Sequence, residues 1–181
     1  TYGEPVSNTY NTPVFVTGCM RSGTTILVDK LSSHSQLLKI GTELNAVWTK
    51  IGGAPVTEHC YYKDENDATG EYTYQMTRYF ADFIHDSRTF KRHLMRANSK
   101  WANKTGRIKY DWDNVIPVNK SPHLMNKIGY VHGLFPSSKI VVIIRDIYAQ
   151  SSSLKMHFEN QLKKFGKINI APKNHIQCWT T

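Results

Sequence analysis

Residues 15–31, FVTGCMRSGTTILVDKL, decide the fold. The stretch opens with apolar and β-branched residues, turns tightly at glycines, and continues as a helical pattern. Backbone N–H groups at the start of such a helix lack partners and carry partial positive charge, so they bind anions. Gly18 and Gly23 have the separation of the GxxxxGK[ST] phosphate loop, but Thr24 stands where its lysine belongs. That lysine serves β- and γ-phosphates, so a ligand without a triphosphate is indicated. Gly23 lets the backbone approach an anion closely. Ser22, Thr24 and Thr25 add hydroxyl donors, and Arg21 adds a guanidinium fork that can meet two oxygens. The plain alternative is a serine- and threonine-rich helix cap that binds nothing. The whole string RSGTT between a strand and a helix weighs against it.

Outward from this loop, strands and helices alternate. Residues 13–18 (PVFVTG), 36–41 (QLLKIG), 115–120 (VIPVNK) and 139–145 (KIVVIIR) read as strands. The last is nearly continuous in apolar residues, as a parallel strand covered on both faces would be. Helices are expected over 24–34, 71–98, 123–135 and 148–165. In the longest, Met76, Tyr79, Phe80, Phe83 and Ile84 recur at helical spacing. Residues 1–12 read as a loose arm and 52–70 as a loop or disordered insertion. The alternation predicts an α/β domain with a parallel sheet, whose ligands bind beyond the carboxyl ends of the strands.

Three cationic segments fall at those ends: the glycine loop, Lys120 in VNKSPHL, and Arg145 in KIVVIIRDIYAQSSSL. Arg145 ends a strand, and Ser151, Ser152 and Ser153 follow one to two turns into a helix. Such an arginine and hydroxyl can grip one phosphate from two sides, although Arg145 could also simply pair with Asp146. His123 is the histidine nearest this edge, and Glu43, just past Gly41, is the best-placed carboxylate. Either could act as a base. An ordinary surface or capping glutamate and a structural histidine are the plain alternatives.

Composition bounds the partners. With 181 residues, the chain is about one domain. The formal charge of +9 asks for an anionic partner. Cys19, Cys60 and Cys178 form no CxxC pair, which argues against a zinc site or disulfide framework. No apolar run approaches the ~20 residues of a membrane span. The triplet Asn103-Lys104-Thr105 fits a glycosylation sequon, a pattern common by chance.

On these residues the chain resembles sulfotransferases that use 3′-phosphoadenosine 5′-phosphosulfate (PAPS). RSGTT is similar to their 5′-phosphosulfate loop, closest to the tyrosylprotein version. Arg145 with Ser153 eight positions later resembles their 3′-phosphate element, and NKSP their lysine-bearing strand end. In tyrosylprotein and heparan-type members a glutamate about 22 residues past the loop's basic residue acts as base. Glu43 stands 22 past Arg21. The resemblance implies a three-layer α/β/α P-loop-like domain over residues 13–181 that continues into a further C-terminal part. It also implies in-line sulfonyl transfer to a hydroxyl or amine without a metal. Arg21, Ser22, Gly23, Thr24, Thr25, Arg145 and Ser153 would hold the cofactor. Glu43 would be the base, and Lys120 and Arg21 would stabilise charge. Cytosolic small-molecule members use a histidine two positions after the strand-end lysine, where this chain has Pro122. That favours Glu43 and leaves His123 as the competing base. The acceptor stays open among a small molecule, a glycan and an acidic peptide. Of compartments, the cytoplasm is favoured, with the Golgi lumen the alternative if the chain belongs to a larger protein.

Two other readings compete. A P-loop nucleotide or small-molecule kinase shares the loop but needs magnesium ligands, and neither GK[ST] nor a clear strand-end aspartate is visible. A nucleic-acid-binding module is suggested by Arg92, Arg96, Lys100, Lys104, Arg107 and Lys109, with Tyr110 and Trp112 near enough to stack bases. A solvated basic helix face is the simpler account of that run, so nucleic acid is the disfavoured partner.

Overall fold

The computed structural model describes residues 12–55, 62–90 and 109–167. Four parallel strands, β1 (Val14–Gly18), β2 (Leu37–Lys39), β3 (Ile116–Lys120) and β4 (Lys139–Ile143), form one sheet in the order β2-β3-β1-β4. Register pairs Val16 with Lys120 and with Val141, so the ends of β1, β3 and β4 open on one edge.

The period of two along β1 sends its side chains to opposite faces. Val16 meets Val28 of α1 (Thr24–Leu31) and Val118 of β3 on one face. Phe15 meets Trp48, Phe80 and Phe135 on the other, with centroids 5.9, 6.1 and 5.3 Å away. Trp48 belongs to α2 (Asn45–Lys50) and Phe80 to α3 (Gly70–Phe90). Phe135 directly follows α4 (Ile128–Leu134). Helices thus cover both faces, giving a three-layer α/β/α fold. The helical repeat expected for α3 points inward: Met76, Phe80, Phe83 and Ile84 are buried. Full burial of side chains this size stabilises the fold by roughly 1.5–3 kcal/mol each.

Several expectations need correction. Among the described residues, the strand at 139–145 is not covered on both faces. As β4 it is an edge strand bonded, among these residues, only to β1, and Val141 and Val142 are 38% and 39% exposed. An apolar run reports affinity for burial and carries no information about position in the sheet. The helix at 123–135 divides into a 3-10 helix, Pro122–Lys127, and α4. α1 ends at Leu31, short of His34, because Ser32 and Ser33 hydroxyls bond back to the carbonyls of Val28 and Lys30. α2 was not foreseen. It is short, and it starts from a left-handed Leu44 with no side-chain cap, so no start signal marks it. Residues 91–98 of the long helix lie outside the described residues, as do Cys60, Cys178, Asn103 and the basic run 92–107. Tyr110 and Trp112, offered above as stacking residues, pack on the core with centroids 5.2 Å apart. Burial pushes the Tyr110 phenol pKa up.

Candidate active site

The glycine loop has the backbone that its sequence implies. Gly18, Arg21 and Gly23 all have positive φ, at 148°, 66° and 104°. A Cβ on Gly18 would lie 2.6 Å from the Ile143 carbonyl oxygen, so only glycine lets β4 run this close to the loop. At Gly23 a Cβ would meet nothing within 4 Å, so glycine serves the left-handed turn there and leaves the loop face open. α1 begins at Thr24 with no side-chain cap. Despite its serines and threonines the loop makes no side-chain cap bond to its own helix, so capping does not account for these hydroxyls. The Ser22 hydroxyl oxygen is buried and has no hydrogen-bond partner. Such an orphaned group costs about 1–3 kcal/mol unless something fills it.

The second motif docks onto this loop. α5 (Ile147–Phe165) starts at its N-cap Asp146, whose carboxylate accepts from the Ala149 N–H at 2.9 Å. Asp146 is therefore a cap, and Arg145 turns elsewhere: its Nη1 donates to the Arg21 carbonyl at 2.7 Å. Arg21 Nε donates to Ser153 Oγ at 3.3 Å, and Gln150 Nε2 donates to the Met20 carbonyl at 3.0 Å. Arg21, Arg145 and Ser153 form one cluster on the outside of the loop, with Ser153 the serine in contact. Gln150 was missed; a glutamine inside a helix gives no sequence signal.

The third motif brings the base candidate to the strand-end lysine. Lys120 Nζ donates to Glu43 Oε1 at 2.6 Å, with the lysine side chain 9% exposed and the glutamate 32%. Two left-handed residues, Gly41 and Leu44, bend the chain on either side of Glu43. A Cβ on Gly41 would meet only the movable end of the Leu44 side chain, Cδ2 at 2.5 Å, so it is the positive φ of 59° that favours glycine in this turn. Asn119 secures this turn to β3. Its Nδ2 donates to the Ile40 and Thr42 carbonyls at 3.0 and 3.2 Å, and its Oδ1 accepts from Trp48 Nε1 at 3.3 Å. Asn45 Nδ2 reaches the other glutamate oxygen at 3.4 Å. Glu43 is thus a held residue and not a free surface carboxylate.

Lys120 and Glu43 line a cavity of about 500 Å³, together with Thr25, Lys39 and residues 42–47. Thr25 belongs to the first turn of α1, so the cavity adjoins the glycine loop. His123 lies half-buried on the 3-10 helix and is not part of this lining; its carbonyl accepts from Lys127 Nζ at 3.4 Å. Ser22 and Thr24 are buried, whereas Arg21 and Thr25 are exposed.

A parallel α/β sheet, a glycine loop with no side-chain cap that contains Arg21 and contacts Arg145, and a lysine–glutamate pair at a cavity are the features expected of a transferase that handles an anionic group. Comparison with known families agrees: the sulfotransferase family model matches residues 13–181, and the chain belongs to that family. No curated protein and no solved structure matches it. Among the described residues no helix is long and apolar enough to cross a membrane.

Proposed function

We propose that the chain transfers a sulfonyl group from PAPS to a hydroxyl or amine acceptor, with Glu43 as general base. The observation that carries this is the 2.6 Å contact between Lys120 and Glu43 in the wall of a cavity that reaches Thr25 of the glycine loop. The residues present fit the donor. Ser22 offers a buried hydroxyl with no partner, Gly23 leaves room for close approach, and Arg21 adds a cation for the 5′-phosphosulfate. Arg145 and Ser153, joined to the loop through Arg21, suit the 3′-phosphate. The donor supplies the sulfonyl group when bound.

The chain's own residues then divide the work. Glu43 accepts the proton of the attacking hydroxyl or amine. Lys120 carries three N–H donors, and Glu43 takes one of them. The others suit oxygens on which negative charge grows, and near-burial of the ammonium strengthens that attraction. Arg21 adds positive charge from the loop side. Asn119 holds the Glu43 turn against β3, so acceptor and base meet in a set geometry.

The test is calorimetric titration with adenosine 3′,5′-bisphosphate and, separately, with ADP and Mg²⁺. The proposal expects the bisphosphate to bind at least about tenfold tighter, a difference of about 1.4 kcal/mol. Preference for ADP would favour the kinase reading and overturn this one.

A further inference from the structure

We propose that the cavity beside Glu43 takes an anionic acceptor, and that Lys39 selects its negative charge. The inference rests on the reading of Lys120 and Glu43 as the transfer centre and adds the substrate class. Lys39 ends β2 on the α1 side of the sheet, where it meets Asp29 of α1. It pairs in register with Val118, two residues before Lys120 on the neighbouring strand. Strand geometry therefore puts the Cα atoms of the two lysines about 8 Å apart. Both line the cavity.

The residues lining the cavity include two lysines, Lys39 and Lys120, against one carboxylate residue, Glu43. Asp29 holds Lys39 at 2.6 Å but is not part of the lining, and its side chain is 11% exposed against 29% for the lysine. The pair thus turns its cation to the cavity and keeps its anion behind. Asp29 takes one of the three N–H donors of Lys39 and fixes the ammonium in place, so little ordering is lost when an anion arrives. Leu44 and Val47 give the wall an apolar side. A molecule that fits has a reactive hydroxyl or amine at Glu43, an apolar body, and a carboxylate or sulfate that reaches Lys39. A purely structural Lys39–Asp29 tie would make no distinction by ligand charge.

The experiment uses the whole chain saturated with adenosine 3′,5′-bisphosphate. Two probes of nearly equal size are titrated by calorimetry at low ionic strength: para-hydroxyphenylacetate and its neutral amide. The anion is expected to bind about tenfold tighter or better, the scale of a charge-assisted hydrogen bond. Lys39→Gln should reduce the gap to within about twofold, and Lys39→Arg should keep most of it. If Lys39→Gln fails to fold because Asp29 is left unpaired, the double variant Lys39→Gln/Asp29→Asn removes both charges and must show the same loss of preference. Equal binding of the probes, binding of neither, or a gap that survives Lys39→Gln overturns the inference while leaving the donor reading intact. Failure to bind the bisphosphate itself removes the reading beneath it.

Discussion

Arg21 and Ser153 lie 132 positions apart in sequence, yet Arg21 Nε and Ser153 Oγ are 3.3 Å apart. This contact joins the glycine loop to the last described helix, and Arg145 braces it by donating to the Arg21 carbonyl. Two elements that we propose hold different phosphates of one donor are thus physically coupled.

Arg145→Ala should therefore weaken adenosine 3′,5′-bisphosphate by about 1.5–3 kcal/mol, the worth of a charge-assisted hydrogen bond. Adenosine 5′-phosphosulfate, which lacks the 3′-phosphate, should lose less. Calorimetry on both ligands checks this. Equal losses would reduce Arg145 to a brace for the loop.

Glu43→Gln should lower sulfonyl transfer by about 10²–10⁴-fold, the usual scale of general-base catalysis. The amide keeps the size and can still accept from Lys120, but it cannot take the proton, so bisphosphate affinity should hold. His123→Asn should stay within about threefold of the parent, well short of a general-base effect. The opposite pattern of rates would make His123 the base.

Gly18→Ala and Gly23→Ala should separate folding from binding. At position 18 the new Cβ meets the Ile143 carbonyl at 2.6 Å in a backbone already at φ 148°. The combined clash and strain should cost about 2–4 kcal/mol in urea denaturation. At position 23 only the left-handed strain applies, about 1–2 kcal/mol. The fold should survive there while bisphosphate binding weakens. A Gly23→Ala chain that binds normally would place the anion elsewhere.

Asn119→Leu removes the amide that holds the Glu43 turn. It removes the acceptor of the Trp48 indole Nε1–H and the amide donor to the Ile40 and Thr42 carbonyls. A loss of about 2–4 kcal/mol is expected from these lost bonds. Turnover should fall more than donor affinity, because the base loses its anchor while the loop does not. If affinity and turnover fall together, Asn119 supports the fold as a whole.

The sequence by itself determined the alternation of strands and helices, the glycine loop, and the cationic strand ends. These are local properties: β-branched runs, helical periodicity in α3, and glycines where φ must be positive. Spacing along the chain also singled out Glu43 and Ser153, by resemblance to the family. Tertiary structure alone decided what each of them touches. Nothing near Lys120 in sequence says that its ammonium meets Glu43, because the contact depends on β3 lying beside β2. Arg145 was equally free to pair with Asp146 until α5 claimed that carboxylate as its cap. The apolar run of β4 suggested a covered strand, yet the strand order of the described residues puts it at the edge, since hydrophobicity does not encode neighbours. α2, Asn119 and Lys39 went unread for the same reason. Each owes its role to partners that only folding brings within reach.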